Sequence, residues 1–375
     1  MRTRAAVFHA PGEPFEVTEI DLDEPGPGDV VVRMAAVGIC GTDLHSVKGE
    51  WSRPTPVVLG HEGAGVVEWA GAEVEGVRVG DEVVLSWAPG CGACADCAAG
   101  RPARCLALNR AIAGSTLPGG ATGMRLRGET LHRGTATGCM AEHAVVSARV
   151  ALPTGGGVPL REAALLGCAA LTGVGAVLFA ARVTPGSSVL VVGAGGVGQF
   201  VVQGARIAGA GLVVVADPVE QRRAQALRLG ATHAVHPDGL GDLIAEVAPG
   251  GVAFAFDAVG DPDTTALALR RAGSGSTTVI VGLPAAGRRL DLDPIELIRK
   301  EKWLTGCLYG SEDPAVALPV LLEHVRAGRL ELASLVGPTF ALDEVDAAIE
   351  ASLAGSPGRV LLTPGEGSLP VPEGD

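Results

Sequence analysis

The sequence predicts an α/β protein of two units, a β-rich one followed by a doubly wound parallel sheet, with the last section returning to the first unit. Three observations carry this expectation. The first third is made of short apolar or alternating runs punctuated by Gly, Pro and Asp. From about residue 158 the runs are separated by helix-length segments, the texture of βαβ units. The chain has 375 residues, 47% of them hydrophobic, enough for about two cores.

In order, RAAVFHA, EVTEIDL, DVVVRMAAVGIC, GAGVVEWAG, DEVVLSW and AEHAVV read as strands, broken by PGEP, EPGPGD and VRVGDE. PLREAALLGCAALTGVGAVLFAA reads as one long helical stretch. SSVLVVGAG, GLVVVAD, THAVHP, FAFDAVG and TTVIVGL follow as buried β runs. After 309, PAVALPVLLEHVRAG and LDEVDAAIEASLAG read as helices and GRVLLTP as a closing strand, while GEGSLPVPEGD reads as a mobile tail. The expected organisation is therefore 1–169, 170–308 and 309–375, with no internal repeat.

Composition narrows the function classes. Acidic residues outnumber basic ones by 42 to 29, giving a net charge of −13, and no basic run offers a phosphate-binding stripe, so nucleic acid is not an expected partner. No apolar stretch is long and unbroken enough for a membrane span. MRTRAAVFHA goes directly into strand-like sequence with no apolar leader, and the expected location is the cytoplasm. The 55 glycines and scarce aromatics fit tight turns around an Ala/Val/Leu core.

Within CGACADCAAGRPARC, Cys91, Cys94, Cys97 and Cys105 are spaced to converge on a tetrahedral zinc. Cysteines three apart rarely reach unstrained disulfide geometry, and a reducing compartment favours the metal. Four protein ligands leave no open position, so this zinc is expected to be structural.

VVGAGGVGQFVV carries GxGxxG at Gly193, Gly195 and Gly198, with Gly196 and Val197 between the last two. An apolar strand precedes it and an apolar-periodic helix follows. Asp217 stands about 20 residues on, at the end of GLVVVAD, the spacing of a dinucleotide-binding fingerprint. The pyrophosphate is expected at the helix N-terminus. Asp217 would accept the ribose hydroxyls and repel a 2′-phosphate, favouring NAD over NADP. Arg222 is compatible with bracing the ribose, binding a 2′-phosphate or facing solvent.

GICGTDLH, LGHEGAGVVE and LLGCAALTG contribute Cys40, His61 and Cys168. Any one alone reads as a buried structural residue. Taken in order with CGACADC, Cys105 and VGAGGVG, these motifs are far more specific. From AAVFHAPG to GRVLL the chain resembles the zinc-dependent medium-chain alcohol dehydrogenases, in their long-loop branch of alcohol and thiol-dependent formaldehyde dehydrogenases.

The resemblance implies a GroES-like catalytic domain and a Rossmann domain, NAD, and two zinc ions per subunit. It makes Cys40, His61 and Cys168 the catalytic zinc ligands, with Glu62 as a neighbour or transient ligand. Zinc would act as a Lewis acid on an alcohol whose hydride passes to the cofactor. It further implies that the hydroxyl of Thr42 takes the alcohol's proton and that His45 delivers it to solvent by way of the nicotinamide ribose. Arg359 matches a position that contacts the pyrophosphate, or is a surface arginine beside a strand. Residues 106–138 look like the longer loop of the dimeric members, so a homodimer is expected. Trp51, Trp87 and Met140 fall at substrate-channel positions and suggest an aromatic or medium-chain primary alcohol and its aldehyde; tryptophans are also readily core residues. Ala169 stands where many relatives have glycine, and Cys139 and Cys307 read as buried small hydrophobes.

Two other functions compete with this one. A reductase of C=N or activated C=C bonds on the same fold needs neither zinc-alkoxide chemistry nor a hydroxyl-to-histidine relay, so the presence of both Thr42 and His45 weighs against it. A non-catalytic zinc- and dinucleotide-binding protein predicts erosion of the open zinc site, and no residue of that site is missing.

Overall fold

The computed structural model describes residues 1–365, so most of the segment read as a tail lies outside the described residues. The chain forms two compact units. One comprises Met1–Cys168, Asp313–Leu322 and the described residues from Leu332 on; the other comprises Ala169–Glu312 and Glu323–Glu331.

The first unit is β-rich. Alternating strands Arg2–Phe8 and Glu16–Leu22 pair antiparallel and anchor one six-stranded sheet. The ten-residue strand Asp29–Gly38 anchors a second, pairing with Glu62–Ala70, His143–Ser147 and Arg359–Thr363, all antiparallel. Period-2 alternation places Val30, Val32, Met34 and Ala36 on one buried row. Residues 106–138 are an ordered insertion, with a helix Leu106–Gly114 and the short strands Met124–Leu126, Glu129–Thr130 and His132–Arg133. At its centre Arg133 is fully buried, donating to the carbonyls of Thr122, Thr137 and Val145.

The second unit is a six-stranded, all-parallel sheet. From one edge to the other its strands are His233–Val235, Leu212–Ala216, Ser188–Val192, Val252–Asp257, Ala272–Ile280 and Trp303–Gly306. In chain order this is 3-2-1-4-5-6, so the direction of winding reverses at Ser188–Val192 and opens a crevice at its carboxyl end. The glycine loop lies there.

Two expectations about the chain path change. The stretch 160–181 is not one helix. A turn at Leu160–Ala163 tightens to 3₁₀ geometry over Ala164–Gly167, breaks at Cys168 with φ −144° and ψ −65°, and resumes at Ala169–Gly175. The break coincides with the crossing between units. The return is also later and less clean than position 309, because residues 323–331 belong with the second unit. There Gln203, fully buried on the helix Gly196–Ile207, donates to the carbonyl of Glu331 and accepts its N–H, at 2.9 and 2.7 Å. That reciprocal pair fixes the segment.

Candidate functional site

The strand Asp29–Gly38 ends at a sharp corner where Cys40 caps the helix Gly41–Val47. His61 opens the strand beginning at Glu62, after Gly60 turns the chain with φ +91°. Cys168 comes from the helix break. These three buried side chains each place one ligand atom within 4.8 Å of the other two.

Asp43, which sequence reasoning did not single out, braces two of them. Its Oδ2 accepts the N–H of Cys40 at 3.1 Å and its Oδ1 that of Gly60 at 3.2 Å, while Oδ1 lies 3.5 Å from His61 Nδ1. With Nδ1 turned to a carboxylate, Nε2 is the nitrogen left for a cation. The available signal was local: an acidic residue three positions after a helix cap.

The charges here oppose one another in a dry setting. The adjacent Cys168 thiol holds Cys40 well below the usual thiol value against the cost of burial, with His61 adding to the effect. Cys168 is driven well above it by the same contact. Burial alone would lower the pKa of His61, but Asp43 and Cys40 lift it to about 10. Burial raises Glu62 to about 8, opposed by Arg359. Two soft thiol ligands and an imidazole, buried and convergent, are a donor set that fits zinc with one position open.

Glu62 Oε1 accepts from Arg359 Nε at 3.0 Å, and Oε2 is buried without a hydrogen-bond partner. Arg359 also donates Nη1 to the carbonyl of Ile39, leaving Nη2 buried and unpartnered. Arg359 is therefore part of the interior of this unit, and not a surface arginine.

Thr42 and His45 are three apart on the helix Gly41–Val47 and so share a face. His45 Nδ1 lies 2.5 Å from Glu50 Oε2, and Trp51 stacks on the imidazole at 4.5 Å. Trp87 is buried, and Met140 is fully buried in the core against Gly60. Cys139 and Cys307 are buried too.

Cys91, Cys94, Cys97 and Cys105 form the second convergent set, again within 4.8 Å of one another. Gly90, at φ +60°, permits this: a Cβ there would stand 2.6 Å from Cys97 Sγ. Backbone N–H groups of Ala93 and Cys94 aimed at the Cys91 thiol hold it down to about 6, and burial lifts Cys97 to about 11. Four convergent thiols fit a closed zinc site.

In the second unit the three glycines do different work. Gly193 adopts φ +88°, closed to most side chains, and a Cβ on Gly198 would meet the carbonyl oxygen of Gly193 at 1.9 Å. A Cβ on Gly195 would meet nothing within 4 Å, which leaves room for an approaching group. Gly195 caps the helix Gly196–Ile207 without a side-chain hydrogen bond, so the N–H groups around Gly196, Val197 and Gly198 face that space, as an anion requires. Asp217 is nearly fully buried; Oδ2 accepts from Ala194 N–H at 2.7 Å and Oδ1 from Val219 N–H at 2.8 Å. Each oxygen keeps a second lone pair for a ribose hydroxyl. Arg222 Nη1 is 4.0 Å from the same carboxylate.

Comparison with known proteins agrees with this geometry. The family described as "Alcohol dehydrogenase GroES-like domain" matches residues 26–156, and "Zinc-binding dehydrogenase" matches 196–323. The chain is 37% identical over 351 residues to the putative alcohol dehydrogenase D of Mycobacterium tuberculosis, covering 92% of this chain and 95% of that one. It is 32% identical over 368 residues to an S-(hydroxymethyl)glutathione dehydrogenase of Escherichia coli, covering 96% and 100%. The crystal structure of benzyl alcohol dehydrogenase from Acinetobacter calcoaceticus superposes with a TM-score of 0.91 at 30% identity, covering 97% and 99%. The chain belongs to the family of zinc-dependent medium-chain alcohol dehydrogenases.

Proposed function

We propose that the protein is an NAD-dependent dehydrogenase of primary alcohols, aromatic or of medium length, working reversibly with the aldehyde and holding two zinc ions per subunit. The observation that carries this reading is the buried Cys40, His61 and Cys168 set, which offers three ligands and leaves a fourth position for substrate oxygen. Bound zinc supplies Lewis acidity at that oxygen, and bound NAD accepts the hydride.

The rest falls to the chain's own side chains. Asp43 holds the ligand loop, and Glu62 with Arg359 closes its inner side. The hydroxyl of Thr42 takes the proton at the reacting end, and His45, one helical turn along, hands it on toward water. Asp217 selects the unphosphorylated ribose by charge and by its remaining lone pairs. The Thr42 and His45 pair is superfluous for a C=N or C=C reductase, which favours the alcohol reading.

A homodimer is part of the proposal. Trp303 lies on the edge strand of the parallel sheet and is 71% exposed, as is Ile298 just before it. An unpaired edge with large apolar side chains is a surface that a second copy can cover. Sedimentation should give twice the subunit mass, and Trp303→Lys should lower it.

The direct test is metal analysis of chelator-free protein combined with a screen of primary alcohols followed by NADH absorbance. Two zinc ions and NADH formation are expected. One metal or none, or oxidation of no alcohol, would overturn the reading.

A further inference from the structure

The segment after the helix Gly41–Val47 folds back on it. The N–H groups of Glu50 and Trp51 both donate to the carbonyl of His45, at 2.9 and 3.2 Å. Gly49 makes the turn with φ +71° and lies against Pro11, where a Cβ would stand 3.2 Å from Pro11 Cγ. This turn delivers two side chains to one ring. Glu50 Oε2 meets His45 Nδ1 at 2.5 Å, and the indole of Trp51 lies over the imidazole at 4.5 Å and 14° from parallel.

A carboxylate only accepts hydrogen bonds, so the nitrogen facing it carries the proton and the lone pair sits on Nε2. Stacking fixes the plane in which that lone pair lies. From this geometry we infer that Glu50 is a positioning residue for the proton path, holding His45 in the tautomer that accepts through Nε2, with Trp51 clamping the ring.

The inference rests on the relay reading of Thr42 and His45. In the step itself an N–H bond forms at His45 Nε2 as the O–H bond of the hydroxyl that donates the proton breaks. The resulting imidazolium carries its charge beside the Glu50 carboxylate. Nε2 then releases the proton to water, which reaches the ring because the His45 side chain is 20% exposed. The Nδ1 proton stays in place throughout, and no electrons change hands. Glu50 thus acts through His45, and Trp51 is committed to the ring and not solely to a substrate wall.

The test uses zinc-loaded enzyme with His45→Gln, Glu50→Gln and the double variant, followed by single-turnover alcohol oxidation with and without added Tris, and by ¹⁵N NMR of the histidine rings. His45→Gln should be slow. Glu50→Gln should be about tenfold slower than wild type, less than the ~10²- to 10⁴-fold of a group that moves the proton itself. Tris should restore part of the loss, and Glu50→Gln should add nothing in the His45→Gln background, since the two act as one unit. Wild-type His45 should resonate as the Nδ1-protonated tautomer and Glu50→Gln as a mixture. A Glu50→Gln rate equal to wild type beside a slow His45→Gln overturns the role of Glu50 and leaves the relay standing. Equal slowing by Glu50→Gln in both backgrounds also overturns it, and a normal His45→Gln overturns both readings. Wild-type His45 protonated at Nε2 overturns it even if no variant folds.

Discussion

The carboxylate of Asp217 accepts the backbone N–H of Ala194 at 2.7 Å, so the acidic residue that ends one strand also holds the glycine loop that follows its neighbour. Loop shape, and under the proposed function ribose recognition, therefore depend on one side chain. Asp217→Ser should narrow the preference for NAD over NADP and weaken binding of both. It also leaves a buried N–H unsatisfied, at a cost of about 1–3 kcal/mol. Fluorescence titration with NADH and NADPH, beside a thermal melt, checks both parts. A wild type that uses NADP as well as NAD would sink the assignment and turn attention to Arg222.

Asp43 contacts Cys40, Gly60 and His61. Asp43→Asn keeps the shape and removes the charge that faces Nδ1. The expected result is a loss of about 10–100-fold in affinity for the catalytic zinc, the usual range for a residue orienting a metal-bound histidine. The four-cysteine site should keep its metal. Competition with a chromogenic chelator resolves the two ions, and equal weakening of both would count against the assignment.

The four-cysteine loop has almost no core of its own, with Cys91 exposed and Cys94 and Cys97 only partly covered. Its order is expected to come from metal. Cys94→Ser should lower the melting temperature and solubility, because structural zinc contributes folding free energy. The N–H groups that hold Cys91 down to about 6 keep its thiolate at neutral pH. That contribution is complete above the ordinary thiol range and is lost as pH falls through the lowered value. Zinc should be released progressively as pH falls, because each of the four ligands must shed a proton to bind it. Metal content independent of pH would contradict the site.

Much of this was readable in the residues. The strands of both units follow from alternation or short buried runs, and the cysteine spacing at 91–105 leads directly to a convergent set. Cys168 was readable as a ligand only through resemblance, because Ala, Leu and Gly carry helical periodicity straight through it. The break is imposed by tertiary packing: a Cβ on Gly167 would lie 2.9 Å from the carbonyl oxygen of Leu85, so the turn sits hard against the sheet. Asp43 was hidden because an acidic residue in a first helical turn is ordinary capping chemistry. The strand Trp303–Gly306 has four residues and one exposed tryptophan, too little pattern to identify. The attachment of residues 323–331 depends on Gln203, more than a hundred positions away, which no local reading reaches.

Gly38 is where the strand Asp29–Gly38 passes Glu62. A Cβ there would stand 2.8 Å from Glu62 Cδ and Oε1, so Gly38→Ala must displace the carboxylate that accepts from Arg359. Overpacking of this kind costs about 1–3 kcal/mol. The melting temperature should fall and alcohol oxidation should slow, while NADH binding to the other unit is unchanged. Unaltered turnover in a stable Gly38→Ala protein would show that the placement of Glu62 against Arg359 does not matter to the reaction.

The relative severity of changes at Thr42 and His45 separates a relay from two unrelated polar residues. Thr42 is assigned to the reacting oxygen, a position that a diffusing buffer cannot fill, so Thr42→Ala should be damaging at every pH. His45 is assigned to the solvent end, and its side chain is 20% exposed. His45→Gln should therefore slow oxidation most at lower pH, where solvent base is scarce, and an added small base should restore part of the rate. Each loss should fall within the ~10²- to 10⁴-fold typical of acid–base groups, with Thr42→Ala the larger. Single-turnover rates with a saturating primary alcohol from about pH 6 to 10, with and without Tris, decide the matter. An unchanged pH profile and no rescue in His45→Gln would remove the relay, and the C=N or C=C reductase would become the better account of this site.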